Sequence, residues 1–266
     1  EINFDKKKVI DEGFEKAFFQ LVLMVVKSSD QEKIVDAKLN EIKVMIDSFS
    51  IKEEKFINET YFVNLGVSFN RKKFFRYLEK NNIFPSTPLK NKFLFIPIII
   101  DESKNDLLIF NKNKIFEEWN NSLEESNLIE YILPTEDLED LNSIKKKYDL
   151  IEQYDFKEIT EKYDLDDSII LLIFKNEKNI RILSRITVKN KVILKNQSFS
   201  NIDINNQDHI IRLIKDLKVI YEDHWKDKNQ INTSIRLSLH VKIKNLDYSE
   251  ISNFEKIMSE MDLIYD

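Results

Sequence analysis

Glycine is almost absent from this sequence: two of its 266 residues, Gly13 and Gly66, are glycine. Phosphate-binding loops place several glycines close together, because the backbone there adopts positive φ angles and approaches the ligand closely. The Walker A loop, the GxGxxG dinucleotide turn, the kinase glycine-rich loop and the GxSxG nucleophile elbow are therefore excluded. Tight turns must instead use asparagine and aspartate, which tolerate the left-handed region better than most residues.

Composition excludes several further classes of protein. The chain has no cysteine, which rules out a disulfide scaffold, a thiolate zinc site and a cysteine nucleophile. Hydrophobic residues make up 42% of the chain, enough for a packed core, yet no apolar run approaches the ~18 residues of a membrane-spanning helix. The net charge of −6 argues against general nucleic-acid binding. Abundant isoleucine, lysine and asparagine beside scarce glycine and alanine are typical of an AT-rich genome.

Residues 1–84 are predicted to form a small α/β domain. Apolar spacing predicts helices over 7–27, 31–47 and 71–81 and a half-buried strand over 56–69. A further strand is expected before Asp5. Pro85 and Pro88, with polar residues between them, predict a linker and a domain boundary.

Residues 85–230 are predicted to form a second α/β domain. The patterns predict strands over 93–100, 107–110, 128–133, 168–174, 179–187 and 191–196, helices over 112–123 and 207–226, and a polar, mostly helical segment over 135–167. Pro97 lies inside the first strand and cannot donate a ladder hydrogen bond, which predicts a bulge or a strand end there. Lys189 and Asn190 are predicted to join the last two strands as an antiparallel pair.

Residues 231–266 are predicted to begin a third module. Alternation over 234–244 predicts a strand, a helix follows over 248–261, and a second strand is expected from Leu263. This order is that of a βαβ, ferredoxin-like unit truncated at its second strand. The fold class is therefore predicted to be α/β (α+β), with two or three small modules whose mixed sheets are flanked by helices.

The densest group of acidic residues follows the predicted strand that ends at Pro134. The group consists of Glu136, Asp137, Glu139 and Asp140. Open α/β sheets often place ligand sites beyond the carboxyl ends of their strands, where carboxylates can hold Mg²⁺ or Ca²⁺. The same residues also fit a helix N-terminus, with Thr135 as the N-cap and acids in the first turn favouring the helix dipole. The sequence leaves both interpretations open.

Five other residues are candidates for interaction. Asp164, Asp166 and Asp167 resemble part of a calcium-binding loop, but the central glycine of that loop is missing. These three aspartates, together with Trp119 and Trp225, are candidate contacts for a partner. For Trp225, a core position that closes a helix end is the alternative.

Basic and aromatic residues are interleaved over 71–77, a pattern that occurs in nucleic-acid-binding surfaces. The alternative is an amphipathic helix whose basic residues are solvated and whose phenylalanines face the sheet. The acidic net charge favours the second interpretation, so no nucleic acid is expected among the partners.

Charge is distributed unevenly along the chain. Residues 116–167 contain seventeen acidic residues and five lysines, whereas residues 168–200 contain seven basic residues and one acidic residue. Such runs are often the solvated faces of secondary structure. The acidic region and its basic neighbour are also candidate contact surfaces for a protein partner.

Several stretches in this order resemble a family of uncharacterised envelope proteins of proteobacteria, especially alphaproteobacteria. The stretches are the strand at 59–69, Phe93-Leu-Phe-Ile-Pro97, Trp119, Leu133-Pro-Thr-Glu-Asp-Leu-Glu-Asp140, the passage from Ile159 to Leu172 and Asp223-His-Trp-Lys226. The family carries a domain of unknown function and usually a signal peptide, and the middle region is similar to the amino-terminal α/β domain of TolB-like periplasmic proteins. The family often has glycine where this chain has Thr135 or an asparagine. The resemblance implies an envelope location and supplies no catalytic residues.

These observations favour a non-enzymatic periplasmic or cell-envelope protein that acts through protein–protein contacts or in envelope assembly. The first residue is Glu1 rather than methionine, so we expect that the natural start, with a signal peptide, has been removed. One alternative is a small-ligand or divalent-metal module, including a metal-assisted hydrolase that uses the acids at 136–140. The other is a cytoplasmic structural subunit of a larger complex. No cofactor and no catalytic residue is predicted.

Overall fold

The structure is a computed structural model that describes residues 5–57, 60–122, 124–177, 179–231, 242 and 247–260. The chain divides into two compact units: a first unit of Glu1–Pro88 with Lys226–Asp266, and a second unit of Leu89–Trp225. Helices and mixed sheets together make this an α/β protein, as the sequence predicts. In the described ranges, no helix is long and apolar enough to cross a membrane.

The first unit begins with helices and a two-stranded hairpin. Its elements are α1 (Lys6–Val25), α2 (Ser28–Gln31), α3 (Leu39–Met45), β1 (Ile46–Ile57), β2 (Thr60–Phe69) and α4 (Arg71–Lys80). The helix predicted over 31–47 is confirmed only in part: residues 35–38 separate a 3-10 turn after α2 from α3, and the chain is already extended from Ile46. Phe49 and Ile51 pair with Val67 and Leu65 of β2. The strand over residues 46–55 was not among the predicted elements.

Helix α1 supports the hairpin and carries much of the first core. Leu65 of β2 packs over Gly13, where an added Cβ would lie 2.4 Å from Leu65 Cδ1. Phe14 meets Phe49 edge to face with ring centroids 5.0 Å apart. The core of this unit contains Phe14, Phe18, Val22, Val25, Ile34, Ile42, Met45, Phe74, Phe75 and Leu78. The phenylalanines of the 71–77 run are therefore core residues of an amphipathic α4.

The two stretches of chain that make up the first unit are hydrogen-bonded to each other. Thr87 N donates to Asn229 O at 2.9 Å, and Ile231 N donates to Pro85 O at 2.8 Å. The Lys226 ammonium donates to Leu23 O at 2.6 Å. This cation therefore satisfies a carbonyl at the C-terminal end of α1, where the helix dipole favours positive charge.

The second unit contains a six-stranded mixed sheet. Its elements are β3 (Asn91–Asp101), β4 (Asp106–Leu108), α5 (Lys114–Glu118), β5 (Ile129–Ile132), α6 (Leu138–Lys146), α7 (Lys157–Thr160), β6 (Ser168–Asn176), β7 (Asn179–Val188), β8 (Lys191–Phe199) and α8 (Gln207–Lys228). The strand order is β4-β3-β6-β7-β8, and β5 pairs with β3. β3 runs parallel to β5 and β6, and the other pairs are antiparallel. All six strands lie where the sequence predicts strands.

Pro97 lies in the middle of β3 without the predicted bulge or strand end, because the β3–β6 register is unbroken from Leu94 to Asp101. Leu94 N donates to Asp167 O, so even-numbered residues of β3 direct their backbone groups to β6 and odd-numbered residues to the opposite edge. On that opposite edge, β5 pairs as far as Leu94 and β4 pairs from Ile99. Pro97 therefore occupies the gap between β5 and β4, where its missing N–H breaks no ladder bond.

Helices cover the two faces of this sheet. On one face, α8 packs on the strands, and Tyr221 OH lies 2.7 Å from Ser184 Oγ of β7. The opposite face is covered by residues 138–163, whose buried side chains pack with Leu172 and Leu183. These side chains are Ile144, Ile151, Phe156 and Ile159. The sheet is thus the middle layer of the second unit.

Turns in the described residues use asparagine and aspartate at positive φ, as the shortage of glycine predicts. These residues are Asn82, Asn105, Asp164, Asn190 and Asn201. Phe110, Phe156, Glu177 and Lys189 also have positive φ, which the sequence did not indicate. Phe110 and Phe156 are buried, so the packing of their rings offsets a backbone cost of about 1–2 kcal/mol for each residue.

The last described element is α9 (Tyr248–Glu260), which agrees with the helix predicted over 248–261. The strands predicted before Asp5, over 234–244 and from Leu263 lie outside the described residues, apart from residue 242. The βαβ interpretation of 231–266 therefore stays a prediction.

Candidate functional site

The acidic cluster after β5 forms a helix cap. Asp137 is the N-cap of α6, and its carboxylate accepts hydrogen bonds from Glu139 N at 2.7 Å and Asp140 N at 3.4 Å. The N-cap is therefore not Thr135, whose own backbone N–H donates to Tyr163 OH at 2.8 Å. The loop before the helix is therefore two residues longer than the sequence suggested.

Lys162 places its ammonium between two of the four acids. Its Nζ lies 3.0 Å from Asp137 Oδ2 and 2.6 Å from Asp140 Oδ1. The hydrogen bond from Lys162 lowers the pKa of Asp137, and the two carboxylates raise the pKa of Lys162. Glu136 instead accepts a hydrogen bond from Asn111 N, at 3.3 Å. A cation from the chain itself thus occupies the position that the metal hypothesis gave to a metal ion.

The three aspartates of the suggested calcium loop do not converge. Asp164 and Asp166 are exposed, whereas Asp167 is buried. Asp167 accepts from Asn91 Nδ2 at 2.5 Å and from Lys189 N at 2.8 Å, so it ties the start of β3 to the β7–β8 turn. Across the described residues, no group of three or more histidine, cysteine or acidic side chains is arranged to hold a metal ion.

Both candidate tryptophans are buried in the second unit. The Trp119 ring is 0% exposed and stacks on Phe95 with centroids 3.9 Å apart. Trp225 is also buried, and its Nε1 donates to Leu89 O at 2.7 Å. Trp119 therefore has no surface to present to a partner, and Trp225 occupies the core position given as its alternative.

A buried pair of ionisable residues on α8 was missed by the sequence analysis. The Lys218 ammonium donates to Trp119 O at 2.7 Å, and burial lowers its pKa to about 8. The Glu222 carboxylate accepts from Leu128 N at 3.1 Å and Ile129 N at 3.0 Å. The sequence feature that could have revealed this pair is a lysine and a glutamate four residues apart on the apolar face of a regular amphipathic helix. Both side chains form hydrogen bonds with buried backbone groups, so their role is structural.

Charged side chains also meet at the carboxyl ends of β3 and β6. Asp101 accepts from Ser103 Oγ at 2.5 Å and from Lys175 Nζ at 3.1 Å, and these hydrogen bonds lower its pKa. Beside them, a cavity of about 280 Å³ contains Arg181, whose guanidinium lies over Phe174 and pairs with Glu152 at 2.6 Å. Lys175 and Arg181 are thus each matched by a carboxylate of the chain.

Comparisons with protein-family models, with curated proteins and with solved structures found no match. The functional assignment therefore depends on the geometry of the chain, and the two edges of the large sheet differ sharply. One edge is broken: β4 has three residues and β5 has four, and Pro97 lies between them. Short strands and proline are features that protect an edge from pairing with another chain.

The opposite edge, β8, is long and regular. Its nine residues pair with β7 in an unbroken register from Val188↔Lys191 to Ile180↔Phe199. Lys189 and Asn190 have φ of 47° and 65°, the conformation of a two-residue hairpin turn. Such a turn is closed by a hydrogen-bonded pair, here Val188 with Lys191, so the backbone groups of the even-numbered residues of β8 point outward. In the described part of the chain, no strand pairs with that side of β8.

Two apolar side chains stand exposed on this edge strand. Val192 is 56% exposed and Leu194 is 60% exposed. They lie on the face covered by residues 138–163, but that layer ends over β7, where the Arg185 guanidinium donates to Glu152 O at 2.6 Å. Within the described ranges, β8 therefore offers an uncovered apolar strip beside backbone groups that no other strand pairs with.

The β7–β8 hairpin that forms this edge is also strongly basic. Residues 179–199 contain five basic residues and no acidic residue. Arg181 pairs with Glu152, whereas Lys189, Lys191 and Lys195 make no ion pair with any described residue. The sequence indicated a basic stretch over 168–200, but it did not show that this stretch is a sheet edge.

Proposed function

We propose that this protein is a non-enzymatic interaction protein that binds an extended segment of a partner protein as an added strand along β8. The observation that carries the proposal is the nine-residue edge of β8, beside which no other described strand lies, in a sheet whose two faces are covered by helices. A row of outward N–H and C=O groups is a template for an added strand. In the added strand, main-chain hydrogen bonds supply affinity and alternate side chains supply specificity.

The contrast with the other edge supports this proposal. Pro97 and the short strands β4 and β5 leave that edge unable to pair along its length, whereas β8 has no proline, bulge or break. The charges of β8 also disfavour a second copy as the occupant, because the copy would bring the same lysines to the same edge. A different protein is therefore the proposed partner.

A periplasmic or envelope location belongs to the same proposal, since the sequence resemblance points to that compartment. Fractionation of native cells checks it, with recovery in the periplasmic or membrane-associated fraction as the expected result. Recovery of the mature protein in the cytoplasm would contradict the location and would leave the binding mode to be judged separately.

The binding mode is tested by photocrosslinking the full chain in native cells. A photoreactive residue at the exposed edge position Ser198 is expected to capture one protein through one segment, and the same residue at the exposed Lys146 of α6 serves as the control. A peptide of the captured segment is then added to the full chain. It should slow hydrogen exchange at the amides of Val192, Leu194 and Asn196, while the intervening amides already bonded to β7 change little.

A matched pair of variants separates edge pairing from general surface contact. Asn196→Pro removes one outward N–H without breaking the β7–β8 ladder, whereas Asn196→Thr keeps that N–H. We expect Asn196→Pro to abolish capture and Asn196→Thr to preserve it. Equal capture by the two variants, or exchange protection without the two-residue alternation, would exclude strand addition.

A further inference from the structure

Building on the proposed strand addition, we infer that the partner segment has the pattern acid–apolar–x–apolar–acid, where x is any strand-compatible residue. The pattern follows from the side chains on the two faces of β8. Successive residues of a strand point to opposite faces, and directly opposed residues of neighbouring strands share a face. The partner's side chains therefore meet those of β8 in alternation.

On one face, the partner meets Val192 and Leu194. These exposed side chains are opposed on the β7 side by Thr187 and Arg185, so neither is paired with a fully apolar residue. The Arg185 guanidinium is held by the carbonyl oxygens of Glu152 and Tyr154. Apolar partner residues opposite Val192 and Leu194 would cover this strip and place aliphatic contact where there is now water.

On the other face, the partner meets Lys191 and Lys195. The two lysines lie four residues apart and share this face with Ile193. Neither makes an ion pair with any described residue. Opposed charges on neighbouring strands attract each other and like charges repel, so an acidic residue is favoured opposite each lysine.

The register of β8 then sets the order of the motif. An antiparallel strand then presents an acid opposite Lys195, an apolar residue opposite Leu194 and any residue opposite Ile193. It continues with an apolar residue opposite Val192 and an acid opposite Lys191. The motif is the same in both chain directions, so it does not depend on whether the added strand is antiparallel or parallel. It excludes a basic strand, and it excludes the sequence of β8 itself.

Fluorescence anisotropy of the full chain with labelled nine-residue peptides tests the inference. The first peptide, STEVTVETS, has the motif. The second, STKVTVKTS, reverses both charges, and the third, STVETEVTS, keeps the composition but exchanges the acidic and apolar positions. We expect the first peptide to bind more tightly than each of the others by roughly tenfold or more at low ionic strength, because two opposed charge pairs are lost or reversed.

Two variants assign the preference to the named lysines. The double variant Lys191→Gln with Lys195→Gln is expected to reduce the discrimination between the first two peptides to less than about threefold, whereas Lys146→Gln on α6 leaves it unchanged. Circular dichroism confirms that each variant is folded. Retained discrimination in the double variant would overturn the assignment to these lysines.

The outcomes separate this inference from the proposed function. If all three peptides bind equally and protect alternate amides of β8, strand addition stands and the acidic pattern is wrong. If none binds a folded chain up to its solubility limit, and the Asn196→Pro variant behaves as the wild type in cells, the proposed function itself is wrong.

Discussion

The side-chain amide of Asn113 donates a hydrogen bond of 3.0 Å to the carbonyl oxygen of Pro97, in the gap between β5 and β4. The same side chain caps α5, because its Oδ1 accepts from Ile115 N at 2.9 Å. One fully buried residue thus replaces the strand neighbour that Pro97 lacks and also starts the next helix. This hydrogen bond satisfies the Pro97 carbonyl at the point where neither β5 nor β4 pairs with β3.

Asn113→Ala is expected to destabilise the second unit by about 2–4 kcal/mol. The substitution removes a helix cap and leaves the buried carbonyl of Pro97 without its donor. Both tryptophans lie in this unit, so urea denaturation followed by tryptophan fluorescence reports its unfolding. The exposed Asn121→Ala serves as the control, with an expected change below about 0.5 kcal/mol. Equal stabilities for the two variants would contradict the dual role of Asn113.

Gly13→Ala is expected to destabilise the first unit by about 1 kcal/mol, although alanine is the better helix former. The new methyl group would overlap Leu65 Cδ1, and this overpacking outweighs a helix gain of about 0.5–1 kcal/mol. In a Leu65→Ala background the overlap is absent, so the same change should stabilise the unit by about 0.5–1 kcal/mol. Denaturation is measured for the wild type, Gly13→Ala, Leu65→Ala and the double variant, with hydrogen exchange of the α1 amides as the readout. The measurement shows whether Gly13→Ala raises or lowers the free energy of unfolding in each background. Stabilisation in both backgrounds would show that Leu65 moves aside freely.

Lys218 is expected to give the second unit a stability that rises with pH above about 8. Its pKa is about 8 in the folded chain and about 10.4 when unfolded, so the unfolded chain binds more protons between these values. Tyr131 and Tyr221 have raised pKa values, which reduces stability only as tyrosine ionises in the unfolded chain near pH 10. Urea denaturation between pH 7.5 and 9.5 should therefore show the rise in the wild type.

The rise should be lost in Lys218→Met and kept in Lys215→Met, an exposed lysine on the same helix. Nitrogen or carbon NMR of the Lys218 side chain gives the protonation midpoint directly. A midpoint above 10 would remove the physical basis of this prediction.

Glu222→Leu is expected to lower the free energy of unfolding of the second unit by about 2–4 kcal/mol, because it leaves the buried N–H groups of Leu128 and Ile129 without an acceptor. Glu222→Gln keeps one carbonyl oxygen at the same position and should cost less than half as much. Fluorescence-detected denaturation again reports the change, and the exposed Asp216→Ala on α8 is the control. If the glutamine and leucine variants were equally unstable, the charge itself would matter more than the two hydrogen bonds.

Millimolar Mg²⁺, Ca²⁺ or Mn²⁺ is expected to leave the thermal unfolding of the chain unchanged. The Lys162 ammonium already forms ion pairs with both Asp137 and Asp140, and a metal ion would have to displace it. Thermal unfolding with each metal, compared with unfolding in a chelator, makes the test. A metal-dependent shift that disappears in Asp137→Asn would revive the divalent-metal alternative.

Local patterns predicted much of the second unit. The apolar runs located all six strands, and the Lys189–Asn190 pair correctly indicated a hairpin. The same reasoning missed the interruption of the predicted helix at residues 35–38, and it missed the part of β1 before residue 56, which pairs with β2. It also failed at Pro97. A proline is tolerated in a strand when no neighbouring strand needs a hydrogen bond from its nitrogen, and the sequence does not show which strand lies on that side.

The sequence by itself determined the α/β class, the use of asparagine in turns, the absence of glycine-rich phosphate loops and the basic character of the β7–β8 hairpin. These properties depend on residue type and on spacing within a few residues. Tertiary structure alone decided that Trp119 is buried, that Lys162 lies between two carboxylates and that β8 is an edge strand with no other described strand on its outer side. Each of these depends on which distant segments become neighbours, and hydrophobic patterning sets the faces of an element without setting its neighbours.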